Sequence, residues 1–124
     1  MKGGKTLPDL EQEKRIKKEV TKLRKFIKDL ETEEQNMAMY LINELAFMKV
    51  TLEDLKEEVS EYGVIDIMPQ GEYSIKRENP ALKTYNTMIQ RYNSTLKQLD
   101  DFINKLVPQA NGDVDLLSAF IQRR

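Results

Sequence analysis

The chemistry within reach of this sequence rests first on its cations. Lys14, Arg15, Lys17, Lys18, Lys22, Arg24, Lys25 and Lys28 fall close together near the start of the chain. Read at helical spacing, Lys14, Lys18, Lys25 and Lys28 lie across the helix from an apolar seam of Ile16, Val20, Leu23, Ile27 and Leu30. Arg15 with Lys22, and Lys17 with Arg24, sit seven residues apart on the flanks. Lysine and arginine on one helix face neutralise backbone phosphates of DNA and release its condensed counterions. All eight are therefore candidate DNA contacts. The competing reading is a solvated face, or one that pairs with the acidic stretch that follows. Lys76, Arg77 and Lys83 form a second possible cationic patch.

Other chemistries are excluded or disfavoured by residue type. The chain has no cysteine, so disulfides, thiolate zinc sites and cysteine nucleophiles are absent. It has no histidine, so a Ser-His-Asp triad and His-containing metal sites are absent as well. Twenty-one acidic residues leave a carboxylate metal site or an acid/base pair conceivable, but no ligand-spaced Asp/Gly loop occurs. No Gly-x-x-x-x-Gly-Lys-Ser/Thr loop is present to cradle a nucleotide. The expectation is a protein that is not an enzyme and takes no cofactor, no metal and no small-molecule substrate.

A net charge of −1 conceals strong segregation. Residues 1–30 carry ten Lys/Arg against five Asp/Glu, whereas residues 31–66 carry two against ten. Such blocks suit two partners of opposite sign, or one segment folding against the other. At 124 residues and 40% apolar content the chain supplies one core. No apolar run approaches the ~18 residues of a membrane span, so no membrane partner is expected. Met1 to Lys5 leads into polar helix-like sequence, and no secretory signal is expected.

The elements that position these residues are helical. Residues 1–8 are read as a flexible N-terminus, and 9–108 as a single domain whose basic first helix runs from about Asp9 to Leu30. A second helix is expected over Thr32 to Lys49, with an apolar face of Met37, Tyr40, Leu41, Leu45 and Met48 widened by Ala38 and Phe47. Thr51-Leu52-Glu53-Asp54 resembles a capping box opening a third helix that Gly63 ends. Since Val50 breaks nothing, the two could be one bent helix. Residues 63–78 lose the helical period. Val64 to Ile67 and Tyr73 to Ile75 fit an irregular connector or short β-hairpin turning at Pro69-Gln70-Gly71. No helix-turn-helix spacing stands out.

Asn79-Pro80 then caps a long helix over about 80–107. Its seam of Leu82, Tyr85, Ile89, Tyr92, Leu96, Leu99, Ile103 and Leu106 alternates at spacings of three and four. It needs partners along its length, from the other helices or from another copy of the chain. Leu82 to Ile103 in that series are the candidate homo-oligomer contacts. Asn79, Asn86, Asn93 and Asp100 repeat every seven residues beside it, as a buried polar ladder or as the helix's wet edge. The tail, 109–124, offers a small apolar face of Leu116, Leu117, Phe120 and Ile121, which could dock on a partner or on its own domain. The fold class expected is all-α: a helical hairpin or bundle with a long C-terminal helix.

A sequence of parts carries a family resemblance. Leu41-Ile42-Asn43-Glu44-Leu45-Ala46 is followed by Val50-Thr51-Leu52-Glu53-Asp54-Leu55, then Glu61-Tyr62-Gly63. A connector around Gly71-Glu72-Tyr73 leads to Lys76-Arg77-Glu78-Asn79-Pro80-Ala81-Leu82. From about Met37 to Pro108 the chain resembles a small subunit of the terminase that packages DNA in tailed phages. Lys105-Leu106-Val107-Pro108 stands where many relatives have a Gly-Leu-Thr-Pro-like turn. The resemblance implies a non-catalytic role: binding double-stranded viral DNA, assembling as a ring, and handing the DNA to a large ATPase/nuclease subunit. It also implies work in the cytoplasm of the infected bacterial host, with the apolar tail as the candidate large-subunit contact. The alternatives are a helical structural or adaptor protein assembling through its long helix, and a small DNA-binding regulator.

Overall fold

The structure, a computed structural model, describes residues 7–106; Leu116, Leu117, Phe120 and Ile121 lie outside them. Within that range three helices and one small hairpin follow in the order α1 (Leu7–Arg24), α2 (Thr32–Tyr62), β1 (Ile65–Gln70), β2 (Tyr73–Glu78) and α3 (Pro80–Leu106). The class is as expected, all-helical apart from the connector.

α1 begins two residues before the expected start and stops short of Leu30. After Arg24 it tightens into a single 3₁₀ turn, Lys25–Ile27, closed by the Leu30 amide donating to the Ile27 carbonyl at 3.1 Å. Ile27 and Leu30 are both buried there, so the tightened turn keeps two apolar anchors inward while the chain reverses. The Gln35 side chain donates to the carbonyls of Lys28 (3.3 Å) and Leu30 (3.0 Å), which have no helical partner. Glu31 and Glu34 form a capping box that opens α2, the Glu31 amide donating to Glu34 Oε1 at 3.2 Å.

α2 is one helix of 31 residues, not two. The cap-like run from Thr51 to Asp54 lies in its interior. Val50 and Leu52 are buried on either side of Thr51, so breaking the helix there would expose core. The Asp54 carboxylate is drawn to Arg15 of α1 at 2.7 Å and does not serve a helix terminus. Gly63 does end the helix, at φ 88°, with its amide donating to Val59 O at 2.7 Å.

β1 and β2 pair antiparallel in the register Ile65↔Glu78 to Gln70↔Tyr73. The turn is Gly71-Glu72, overlapping the expected Pro69-Gln70-Gly71 only at Gly71 because β1 continues to Gln70. Gly71 takes φ 66° and no non-glycine residue among those described has positive φ, the pattern of a type II′ turn. Asn79 ties the hairpin to the helices. Its amide donates to Val64 O (2.7 Å), its Nδ2 donates to Gly63 O (2.8 Å), and its Oδ1 accepts from the Ala81 amide (2.9 Å). This buried residue is both the cap of α3 and the staple that returns α3 alongside α2. Asn79→Ala removes the cap, for about 1 kcal/mol, and takes the side-chain donor from the half-buried Gly63 carbonyl, for about another 1–2 kcal/mol. Urea unfolding should show a combined loss of about 2–3 kcal/mol. Asn79→Asp, which retains the acceptor, should lose less.

The core joins all three helices: Leu23, Ile27 and Leu30; Ala38, Ile42, Leu45, Met48 and Leu52 of α2; Tyr92, Leu96, Leu99 and Ile103 of α3. This relocates the candidate oligomer seam. Tyr92, Leu96, Leu99 and Ile103 are buried inside one chain, while Leu82, Tyr85 and Ile89 are half-buried. The stripe expected to join copies is engaged chiefly by α2, in one cluster with Leu23, Ile27 and Leu30, because a helical bundle needs one continuous apolar side from its longest regular seam. α2 is corrected in the opposite sense. Met37 (65% exposed), Tyr40 (69%) and Phe47 (51%) face outward, and Ala46 and Val50 are buried in their place. Of the polar heptad, Asn86 and Asn93 are exposed and Asp100 is half-buried, a wet edge rather than a ladder, while Asn79 is buried as the cap.

A candidate polyanion-binding face on the first helix

α1 lies across α2 with its chain direction reversed. Arg15 meets Glu53 and Asp54, and Glu19 meets Lys49, so increasing number on one helix matches decreasing number on the other. Leu23, Ile27 and Leu30 fix the inward side. At 100° per residue this orientation turns Arg24, Lys17, Lys14 and Lys18 of α1 outward across an arc of roughly 120°, and Lys25 in the 3₁₀ turn and Lys28 just after it extend the row. All six are exposed, and none has an ion-pair partner among the described residues. From Lys14 to Lys28 the row is about 20 Å long. Thr21, exposed, is the uncharged residue within it.

Arg15 and Lys22 behave differently from their neighbours. The Arg15 guanidinium donates to Asp54 Oδ1 at 2.7 Å and to Glu53 Oε1 at 2.9 Å, with Gln12 Oε1 at 3.4 Å. The hydrogen bond to Asp54, then that to Glu53, raises its pKa further above its ordinary value. Arg15 is therefore the point where the basic segment folds against the acidic one. Lys22 reaches Glu19 Oε2 at 3.4 Å, on the margin of the row. Of the eight candidate cations, six are brought together on an open face, one is engaged by α2, and one stands between these roles.

Glu19 was not among the residues that sequence singled out. It is 8% exposed, between the three helices, and its Oε1 has no hydrogen-bond partner. Lys49 Nζ stands 4.0 Å from that oxygen, an ion pair beyond hydrogen-bond range. Burial, and then the charges of Glu19 and Glu53, hold the Tyr92 phenol well above its ordinary pKa, so it stays protonated. The signal available in the sequence was a glutamate adjoining Val20 on the seam side of a helix otherwise cationic.

The remaining acidic block faces solvent. Glu33, Glu44, Glu57, Glu58 and Glu61 are exposed on α2. The molecule thus carries a cationic α1 surface and an anionic α2 surface, a charge separation that its net charge conceals. In the second cationic patch, Arg77 is bound by Asp66 (2.9 Å), whereas Lys76 and Lys83 are exposed. Among the described residues no acidic cluster has the arrangement to hold a metal ion, and no helix is long and apolar enough to cross a membrane. Compared with protein-family models, curated proteins and solved structures, the chain finds no match.

Proposed function

We propose that this chain is a non-catalytic DNA-recognition protein that holds duplex DNA by its phosphates through the outward face of α1. In its full form the proposal is a terminase small subunit: it binds viral DNA in the host cytoplasm, assembles in several copies as a ring, and delivers the DNA to a large ATPase/nuclease subunit. The observation that carries the DNA-binding part is the row of six exposed cations with no ion-pair partner among the described residues. A solvated helix kept for solubility would ordinarily intersperse both signs along its surface. Here the acidic residues of α1 fall near its start or turn inward, as Glu19 does. The packaging role is supported by the order of motifs from Met37 to Pro108, and the large-subunit contact is assigned to Leu116, Leu117, Phe120 and Ile121. Contacts between copies fall to surfaces other than the buried part of the α3 seam.

Fluorescence anisotropy on labelled duplex DNA across a salt series tests the binding. Phosphate neutralisation gives a log–log slope of about −0.9 per contact, so six contacts give roughly −5. Scrambled and viral sequences should bind with comparable slopes, since backbone contacts carry no base information. Absence of binding at 50 mM salt would remove the proposal; ~50 mM is where such contacts are strongest in the usual range.

A further inference from the structure

The hairpin has the least internal support of any element. No residue of β1 or β2 is buried, and Ile65 (54%), Ile67 (59%) and Tyr73 (67%) are largely exposed. A two-stranded sheet alone in water is marginal, and its edges are templates for a further strand.

The two edges are not equivalent. The Asn79 amide donates to Val64 O, which makes 64/79 a hydrogen-bonded position of the ladder. Alternation then places Asp66/Arg77, Met68/Ile75 and Gln70/Tyr73 at bonded positions, within the register observed. The amides and carbonyls of Ile65, Ile67 and residue 69 on β1, and of Ser74, Lys76 and Glu78 on β2, point away from the hairpin. Residue 69 is proline, so the β1 edge lacks a donor near its tip. The β2 edge retains every donor and acceptor.

We propose that β2 is an edge-to-edge pairing surface for β2 of a second copy of this chain, making a four-stranded sheet across a two-fold axis. Charge selects the partner and the register. Two β2 strands can pair antiparallel only with outward-pointing residues at bonded positions. Centring the pair on residue 76 sets Lys76 against Lys76 of the second copy, and centring on residue 77 sets Arg77 against Arg77. Like charges directly opposite are destabilising. Centring on residue 75 avoids both. Ile75 then meets Ile75, Tyr73 lies opposite Arg77 in cation–π range, and Ser74 and Lys76 exchange both backbone hydrogen bonds. Centring on residue 74 also avoids like charges but draws Glu72 of the turn into the pairing, so the register centred on 75 is the one in which Tyr73 to Arg77 is complementary to itself within β2. The contact is isologous, so it is separate from the head-to-tail contacts of a ring, and it does not rest on DNA binding.

The chain has no cysteine, which permits a direct test in the full-length protein without DNA. At a non-bonded antiparallel position the two Cα atoms lie about 4.5 Å apart, within disulfide reach. Ile75→Cys should convert under mild oxidation to a covalent dimer of twice 14.5 kDa. Ile67→Cys, more exposed than Ile75 (59% against 43%) but on the edge blunted by Pro69, should stay mostly uncross-linked. Lys76→Pro removes one outward amide and no bond within the hairpin, and should shift wild-type sedimentation toward the monomer. Equal cross-linking at 67 and 75, no cross-linking at 75, or unchanged sedimentation of Lys76→Pro would each overturn the proposal. Assembly through any other face gives the second of these results.

Discussion

Replacing Lys14, Lys17, Lys18 and Lys25 together by glutamine lowers affinity for duplex DNA by on the order of a thousandfold at 0.1 M salt, if each lysine neutralises one phosphate. The arithmetic follows from counterion release. Each lost contact removes about 0.9 from the log–log salt slope, so four remove between three and four, and at 0.1 M salt each unit of slope is worth about a factor of ten. The fold should survive. All four side chains are exposed and without ion-pair partners among the described residues, and glutamine is nearly as good a helix former as lysine. Stability should therefore move by no more than about 0.5 kcal/mol. Arg15→Gln is the informative control. Its guanidinium is held by Asp54 and Glu53, so its loss should leave the salt slope unchanged. A quadruple variant with wild-type slope and affinity would place DNA contact elsewhere, or nowhere.

That contrast between Arg15 and its neighbours marks where sequence stops being informative. The grouping of Lys14, Lys18, Lys25 and Lys28 opposite Leu23 and Ile27 follows from helical period alone, and all four are exposed, joined by Lys17 and Arg24 from one flank. Helical phase sets Arg15 on the flank and Lys18 across from the seam, but which acidic residues meet that flank is decided only by the reversed direction of α2, which brings Asp54 within 2.7 Å of Arg15. Local signals worked where local chemistry decides the outcome. Asn79-Pro80 begins α3, Gly63 ends α2, and the loss of period marks the hairpin. They failed where tertiary contact decides. The Thr51-to-Asp54 signal was overridden because Val50 and Leu52 are both buried by neighbouring helices. On α2 the apolar residues exceed what one narrow stripe can hold. Packing against two helices buries the small Ala46 and Val50 and turns the larger Tyr40 and Phe47 to solvent, a choice no single-helix pattern contains. A seam at spacings of three and four states that a partner exists, not whether that partner belongs to the same chain.

The location of the α3 seam yields the second large effect. Leu96 is 2% exposed within a cluster drawn from all three helices. Leu96→Ala removes three buried carbons and leaves a cavity that rigid helices only partly close, a loss of about 3 kcal/mol by comparison with other core leucines. That is a large fraction of the ~5–15 kcal/mol that holds a domain of this size together, and it lowers the melting temperature by about 15 °C. Phe47→Ala, a larger truncation on the exposed side of α2, should cost less than about 1 kcal/mol. The concentration dependence separates the two possible homes of the seam. If Leu96 packs within one chain, the difference between wild type and Leu96→Ala is the same at one and at one hundred micromolar, because assembly through other faces shifts both proteins alike. If Leu96 instead joined copies, dilution would deepen the defect, and the variant would fall apart into folded monomers before it unfolded. A difference between wild type and variant that shrinks to a small loss at high protein concentration would return the seam to the surface and undo the three-helix core described above.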